Sequence, residues 1–206
     1  MTELQIFNCE QGSDEWLQCR RGIPTASEFD TVIARGKGGG ESKTRATYMK
    51  KLAGEILTET QMYSYSNDHM DRGKEMEDEA RQAYALMTDN EPVQVGFMRR
   101  GNAGASPDSM LGDNGLLEIK TKLAHLQIEV LEKNEVPSEH VAQLQGQLWI
   151  SARQYVDFVS YWPGLPIFIR RVERDESYIA KLNIEVAAFN DELSALVERI
   201  KNYRRS

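Results

Sequence analysis

Apolar residues recur at three- and four-residue spacing in some stretches and at alternate positions in others, and these two periods divide the chain into helices and strands. Met49, Leu52, Ala53 and Ile56 predict a helix over 46–57, and Met76, Ala80, Ala83, Tyr84 and Met87 predict another over 68–87. The longest stripe runs through Ile179, Leu182, Val186, Phe189, Leu193, Leu196, Val197 and Ile200, a closing helix over 177–203. Between 12 and 33 the pattern gives a helix, a turn and a second helix. Ser13 or Asp14 caps the first, with Trp16 and Leu17 on its apolar face; Pro24 forces an extended entry, and Thr25 or Ser27 caps the second, which carries Phe29, Val32 and Ile33. Pro137 and Ser138 open a helix that buries Val141, Leu144 and Leu148 and sets Gln143 and Gln147 one turn apart.

Alternation predicts strands over 93–98, with Val93, Val95 and Phe97 on one face, and over 116–120. Two more, 155–161 and 167–172, are separated by the turn residues Pro163 and Gly164 and form a hairpin. Helices first, then strands and helices mixed, predict an α/β fold with a central mixed sheet covered by helices. Residues 35–45 break the pattern. Glycines at 36, 38, 39 and 40 stand among basic residues, which predicts a mobile basic loop, either a plain linker or a flap over a polyanion. It lacks the spacing of a phosphate-cradling P-loop.

With 206 residues the chain is expected to form a single domain over 1–206. It has no long uncharged apolar run and no basic-then-apolar leader pattern, so a cytoplasmic protein without membrane contact is expected. Its two cysteines, Cys9 and Cys19, are too few for a thiolate metal site. A net charge of -7 argues against non-specific coating of nucleic acid. A locally basic channel remains compatible with that total.

Candidate chemistry concentrates in 104–120, GASPDSMLGDNGLLEIK. Asp108 follows a proline, Glu118 comes ten residues later, and Lys120 two beyond. On a strand, Leu117 and Ile119 face one side and Glu118 and Lys120 the other. Two carboxylates and the Ile119 carbonyl suit a hard divalent cation, and an ammonium beside it can orient or deprotonate a water, which is equipment for cutting a phosphodiester. An inert salt bridge on an edge strand fits the same pattern. Arg20 and Arg21 near a hydroxyl-bearing helix start read either as solvated arginines or as an anion site.

The sequence resembles the phage lambda exonuclease type of recombination nuclease, within the restriction-endonuclease-like PD-(D/E)xK superfamily. The resemblance runs from about residue 11 to 163 in four ordered blocks: EWLQCRRGIPTASEFDTVIA, GKEMEDEAR, ASPDSMLGDNGLLEIK and AQLQGQLW. It implies a restriction-endonuclease-like fold and a Mg2+-dependent enzyme, with Mn2+ as substitute and one or two ions per site. Such an enzyme degrades one strand of linear duplex DNA from its 5' end, leaving a 3' overhang for recombination. It also implies a ring-shaped homotrimer and a phage single-strand annealing protein as partner. An endonuclease of the same superfamily, specific for a structure or a site, is the alternative. Carried over residue by residue, Asp108, Glu118 and the Ile119 carbonyl are metal ligands and Lys120 is the water-activating lysine. Glu77 is the helical acid near the metals, Gln143 completes the catalytic set, and Arg20, Ser27 and Ser106 bind the terminal 5' phosphate. His140 replaces a tyrosine of the family's site, which leaves it a contact behind the catalytic residues.

Overall fold

The computed structural model describes residues 2–40, 42–61 and 68–203, with the side chains of residues 37 and 68–75 left aside. Among the described residues eight strands and seven α-helices follow one another: β1 (Leu4–Phe7), α1 (Asp14–Arg20), α2 (Phe29–Ile33), α3 (Lys43–Thr58), α4 (Asp68–Thr88), β2 (Pro92–Val93), β3 (Phe97–Arg100), β4 (Ala103–Ala105), β5 (Ser109–Leu111), β6 (Gly115–Thr121), α5 (Ala124–Lys133), α6 (Val141–Ser151), β7 (Tyr155–Tyr161), β8 (Phe168–Glu173) and α7 (Glu176–Lys201). A five-stranded sheet runs in the order β2-β5-β6-β7-β8, parallel only between β6 and β7; β1-β3-β4 form a separate antiparallel sheet. The predicted mixed sheet is present, with a smaller sheet beside it.

Each face of the larger sheet has its own core. On one side α4 lays Ala80 and Tyr84 against Leu117, Ile119 and Val159. On the other, Leu116, Val156 and Phe158 pack with Leu144 and Leu148 of α6, Phe29 and Val32 of α2, Leu52 of α3, and Leu182 and Phe189 of α7. The alternation predicted for 116–120 therefore holds: Leu117 and Ile119 enter the α4 core, while Glu118 turns toward α6. Each fully buried Leu or Phe here contributes roughly 1.5–3 kcal/mol.

Three expectations are corrected. The single strand expected over 93–98 is divided: β2 pairs with β5 and β3 pairs with β1 and β4, so the chain changes sheets at 94–96, where Gln11 Nε2 donates to the Val95 carbonyl. The stretch 35–45 is not one loose loop. Ser42 caps α3, Arg35 pairs with Glu185, and buried Arg45 donates to both carboxylate oxygens of Glu192 at 2.7 and 2.8 Å, tying α3 to α7. Glu41 lies outside the described residues. Met87, placed on the buried stripe of α4 by its spacing, is 64% exposed in the last turn of that helix. No described helix is long and apolar enough to cross a membrane.

Candidate functional site

Asp108 stands at the start of β5, and two hydrogen bonds fasten it to β6. Its backbone N–H donates to the Leu117 carbonyl at 3.1 Å, and its Oδ2 accepts from the Ile119 N–H at 2.6 Å. Period-two alternation then turns the Ile119 carbonyl toward the same edge. Glu118 projects to the α6 side with only 3% of its side chain exposed. Three donors hold it: Lys120 Nζ at 2.6 Å and Gln143 Nε2 at 2.5 Å on Oε1, and Gln147 Nε2 at 2.6 Å on Oε2. Glu77 reaches the same region from α4, held by Arg81, which also donates to Ser109 Oγ at 3.1 Å. Ser109 Oγ in turn donates to the Asp108 carbonyl at 2.6 Å.

The electrostatics follow from this crowding. Burial, then Glu118 and Glu77, push the Asp108 carboxyl well above the usual range despite Lys120 and the Ile119 N–H. Burial likewise raises Glu77, with Glu118 and Asp78 adding to it and Arg81 opposing. Burial pulls Lys120 down, but Glu118, Asp108 and Glu77 outweigh it and its net shift is upward. In the cation-free protein it is therefore a donor to Glu118 Oε1 at 2.6 Å.

Among the described residues no three His, Cys, Asp or Glu side chains converge on one point. The available set is two carboxylates and one main-chain carbonyl, with Glu77 further out. Oxygen-only donors match Mg2+ or Mn2+ and not a soft or imidazole-seeking metal. The raised Asp108 marks a place where added positive charge relieves like-charge repulsion, so the residues fit such an ion.

A second cluster faces the first. Ser13 caps α1, the helix that carries both Trp16 and Arg20. The Arg20 guanidinium lies 4.1 Å over the Trp16 ring and donates to Thr25 Oγ1 at 3.3 Å, and Thr25 Oγ1 lies 3.2 Å from Ser27 Oγ. Trp16 Nε1 donates to Ser106 Oγ at 2.8 Å, which leaves that hydroxyl's proton to point elsewhere. Arg20, Ser27 and Ser106 thus lie along one arc, joined through Trp16 and Thr25.

Two glycines permit the approach of the two clusters. A Cβ on Gly146 would stand 2.4 Å from the Phe29 ring, so only glycine lets α6 close on the turn that carries Ser27. A Cβ on Gly104 would meet Phe97 at 2.1 Å, while the Gly104 N–H donates to the Pro24 carbonyl at 3.1 Å. The result is one slot of about 200 Å³, lined by Arg20, Ser27, Ser106, Asp108, Glu118, Lys120, Gln143 and Gln147 among others. Glu77 does not line it. It borders a larger neighbouring cavity of about 1320 Å³, which Asp108 and Arg20 share.

His140 stands just before α6, stacked on Phe158 with ring centroids 5.3 Å apart. Burial, then Lys120 and Lys122, lower it to about 4, so it is neutral. Sequence reasoning missed four contributors: Trp16, taken only as apolar; Thr25, taken as a cap; Arg81, not singled out; and Gln147, noted only for its register with Gln143. That register was the one signal available, because residues four apart on a helix share a face.

A family model described as a YqaJ-like viral recombinase domain matches residues 15–154. The crystal structure of an alkaline exonuclease from Laribacter hongkongensis is 35% identical, with a TM-score of 0.85, over 94% of this chain and 98% of that one. Its complex with dAMP gives 36% identity and a TM-score of 0.86 over the same shares. A phage-related exonuclease from Haemophilus somnus shares the fold at 14% identity, with a TM-score of 0.65, over 86% of this chain and 96% of that one. No curated protein matches.

Proposed function

The chain belongs to the YqaJ-like viral recombinase family and is a recombination nuclease of the lambda exonuclease type with a restriction-endonuclease-like fold, and on that premise we propose that it is a Mg2+-dependent exonuclease that degrades one strand of linear duplex DNA from its 5' end. The observation that carries this reading is the shared slot: an arc of anion donors and a pair of carboxylates open onto one small space. An end-binding site beside a hydrolytic site places the scissile bond next to a terminus.

In this reading the terminal 5' phosphate sits against Arg20, Ser27 and Ser106, with the guanidinium and two hydroxyls as donors. The next phosphodiester lies over Asp108, Glu118 and the Ile119 carbonyl, the groups that would hold the cation. When bound, that cation offsets charge gathering on the phosphoryl oxygens and lowers the pKa of nearby water. Lys120 activates the attacking water from the Glu118 side, and Gln143 steadies the carboxylate that Lys120 shares. Glu77 supports the cation side from α4. As the water oxygen bonds to phosphorus one of its protons is drawn off through Lys120 to solvent, and as the bond to the 3' oxygen breaks that oxygen takes a proton from solvent. The strand that remains carries a new 5' phosphate, so every cut regenerates the group the arc binds.

The same proposal includes a ring-shaped trimer, which keeps an acidic protein on DNA by topology, and delivery of the 3' overhang to a single-strand annealing protein. Exposed Leu86, Met87 and Val93 are consistent with a subunit contact. The deciding experiment is digestion of 5'-phosphorylated linear duplex with Mg2+. Mononucleotides should leave from the 5' end while closed circular duplex stays intact. Release from the 3' end, or cutting of the circle, would replace this reading with the endonuclease one or with the opposite polarity.

A further inference from the structure

The three donors on Glu118 are not equivalent, and counting lone pairs separates them. Oε1 accepts from both Lys120 Nζ at 2.6 Å and Gln143 Nε2 at 2.5 Å, which uses its two lone pairs. Among the described residues Oε2 accepts only from Gln147 Nε2, at 2.6 Å, and keeps one lone pair. Gln147 is 1% exposed, and its own carbonyl oxygen is buried with no hydrogen-bond partner among the described residues. An orphaned buried acceptor costs about 1–3 kcal/mol, so this amide is held in an orientation that does not serve its own stability. What the orientation secures is an N–H aimed at Glu118 Oε2.

From this we propose that Gln147 is a positioning residue for the cation: it fixes the rotation of the Glu118 carboxylate so that Oε2, and not Oε1, presents its free lone pair to the ion. The inference rests on the proposed cation site and goes beyond it by assigning the ligating oxygen and the side chain that aims it. Gln143 and Gln147 then have separate tasks although they are one turn apart on α6. Gln143 engages the oxygen that Lys120 occupies, on the water side, while Gln147 engages the oxygen reserved for the cation. A neighbour that holds a ligating carboxylate in place is commonly worth 10–100-fold in metal affinity.

The test is Mn2+ binding to the DNA-free protein, followed by paramagnetic resonance, together with the Mg2+ concentration for half-maximal digestion. Gln147→Met conserves the volume and removes the donor, and Gln147→Glu conserves the shape and replaces the donor with a charge. Both should weaken Mn2+ binding about 10–100-fold. Both should raise the half-maximal Mg2+ concentration to match, with KM for DNA ends unchanged and the rate recovered at high Mg2+. Thermal melting identifies whichever variant stays folded, and one folded variant suffices. If the unaltered protein binds no Mn2+, the cation site itself fails. If it binds Mn2+ and a folded Gln147 variant binds it equally well, the cation site stands and the role given to Gln147 is overturned. Should both variants unfold, Gln147 is structural and the inference falls with them.

Discussion

The two halves of the slot are built in opposite ways. On the carboxylate half nearly every donor is committed inside the protein: Glu118 takes three hydrogen bonds, Asp108 is fastened to β6 at two points, and beside the slot Arg81 ties Glu77 to Ser109 of β5. The anion half is lightly tied. Arg20 rests on Trp16 with a single long bond to Thr25, and Ser27 is exposed on its turn. Chemistry requires the first half to be rigid before any ligand arrives, since misplacement of a carboxylate costs rate directly. Recognition requires the second half to keep unspent donors for the ligand. The contrast predicts that substitutions will separate turnover from binding according to the half they fall in.

The largest effects belong to the carboxylate half. Glu118→Gln and Lys120→Ala should each lower single-turnover cleavage by about 10³-fold while duplex ends still bind, measured by rapid-quench digestion beside an end-binding titration. Equal loss of binding in those variants would break the division. A smaller effect concerns stability. Because the Asp108 carboxyl is raised above its unfolded value of 3.8, the folded cation-free protein holds its proton more tightly, and stability falls as pH rises from 3.8 through the raised value. Asp108→Asn should therefore raise the cation-free melting temperature at pH 8 by roughly 2–4 °C for each kcal/mol recovered, and abolish the further rise that Mg2+ gives the unaltered protein. The smallest effect is at His140, where Lys120, Lys122 and Glu139 are the charged neighbours. Its folded pKa of about 4 lies below the ordinary 6.5, so its contribution is complete above pH 6.5 and is lost as pH falls toward 4. His140→Gln should blunt the drop in melting temperature over that window and leave digestion at pH 8 nearly unchanged.

The carboxylate half was also the more legible in the sequence. Strand parity alone put Glu118 opposite Leu117 and Ile119, because a period of two leaves no other choice once one face is buried. Asp108 could be related to them because it sits at a turn before the same strand. The long stripes of α4 and α7 named their own cores, except in the last turns, where Met87 and Ile200 are exposed. What pattern could not reveal was pairing between distant segments. Short strands such as β1, β4 and β5 carry too few alternations to register, and the change of sheets at 94–96 depends on partners far away in the chain. Helix α5 was missed because Leu126 and Ile128 stay on its exposed side and blur the stripe. The anion arc depends on Trp16 meeting Ser106 and Arg20 meeting Thr25, contacts that no spacing encodes. Arg45 looked like part of a basic loop because its partner, Glu192, lies 147 residues away.

If end recognition and cleavage share one slot, the phosphate dependence of Arg20→Ala is where it will show. Digestion rates would be measured on duplex ends bearing a 5' phosphate or a 5' hydroxyl, for the unaltered protein and for the variant. The unaltered protein should prefer the phosphate, and Arg20→Ala should lose about 10–100-fold on phosphorylated ends, as for a charged hydrogen bond, and little on hydroxyl ends, so the preference collapses. A variant slowed equally on both ends, or one that keeps the full preference, would contradict it.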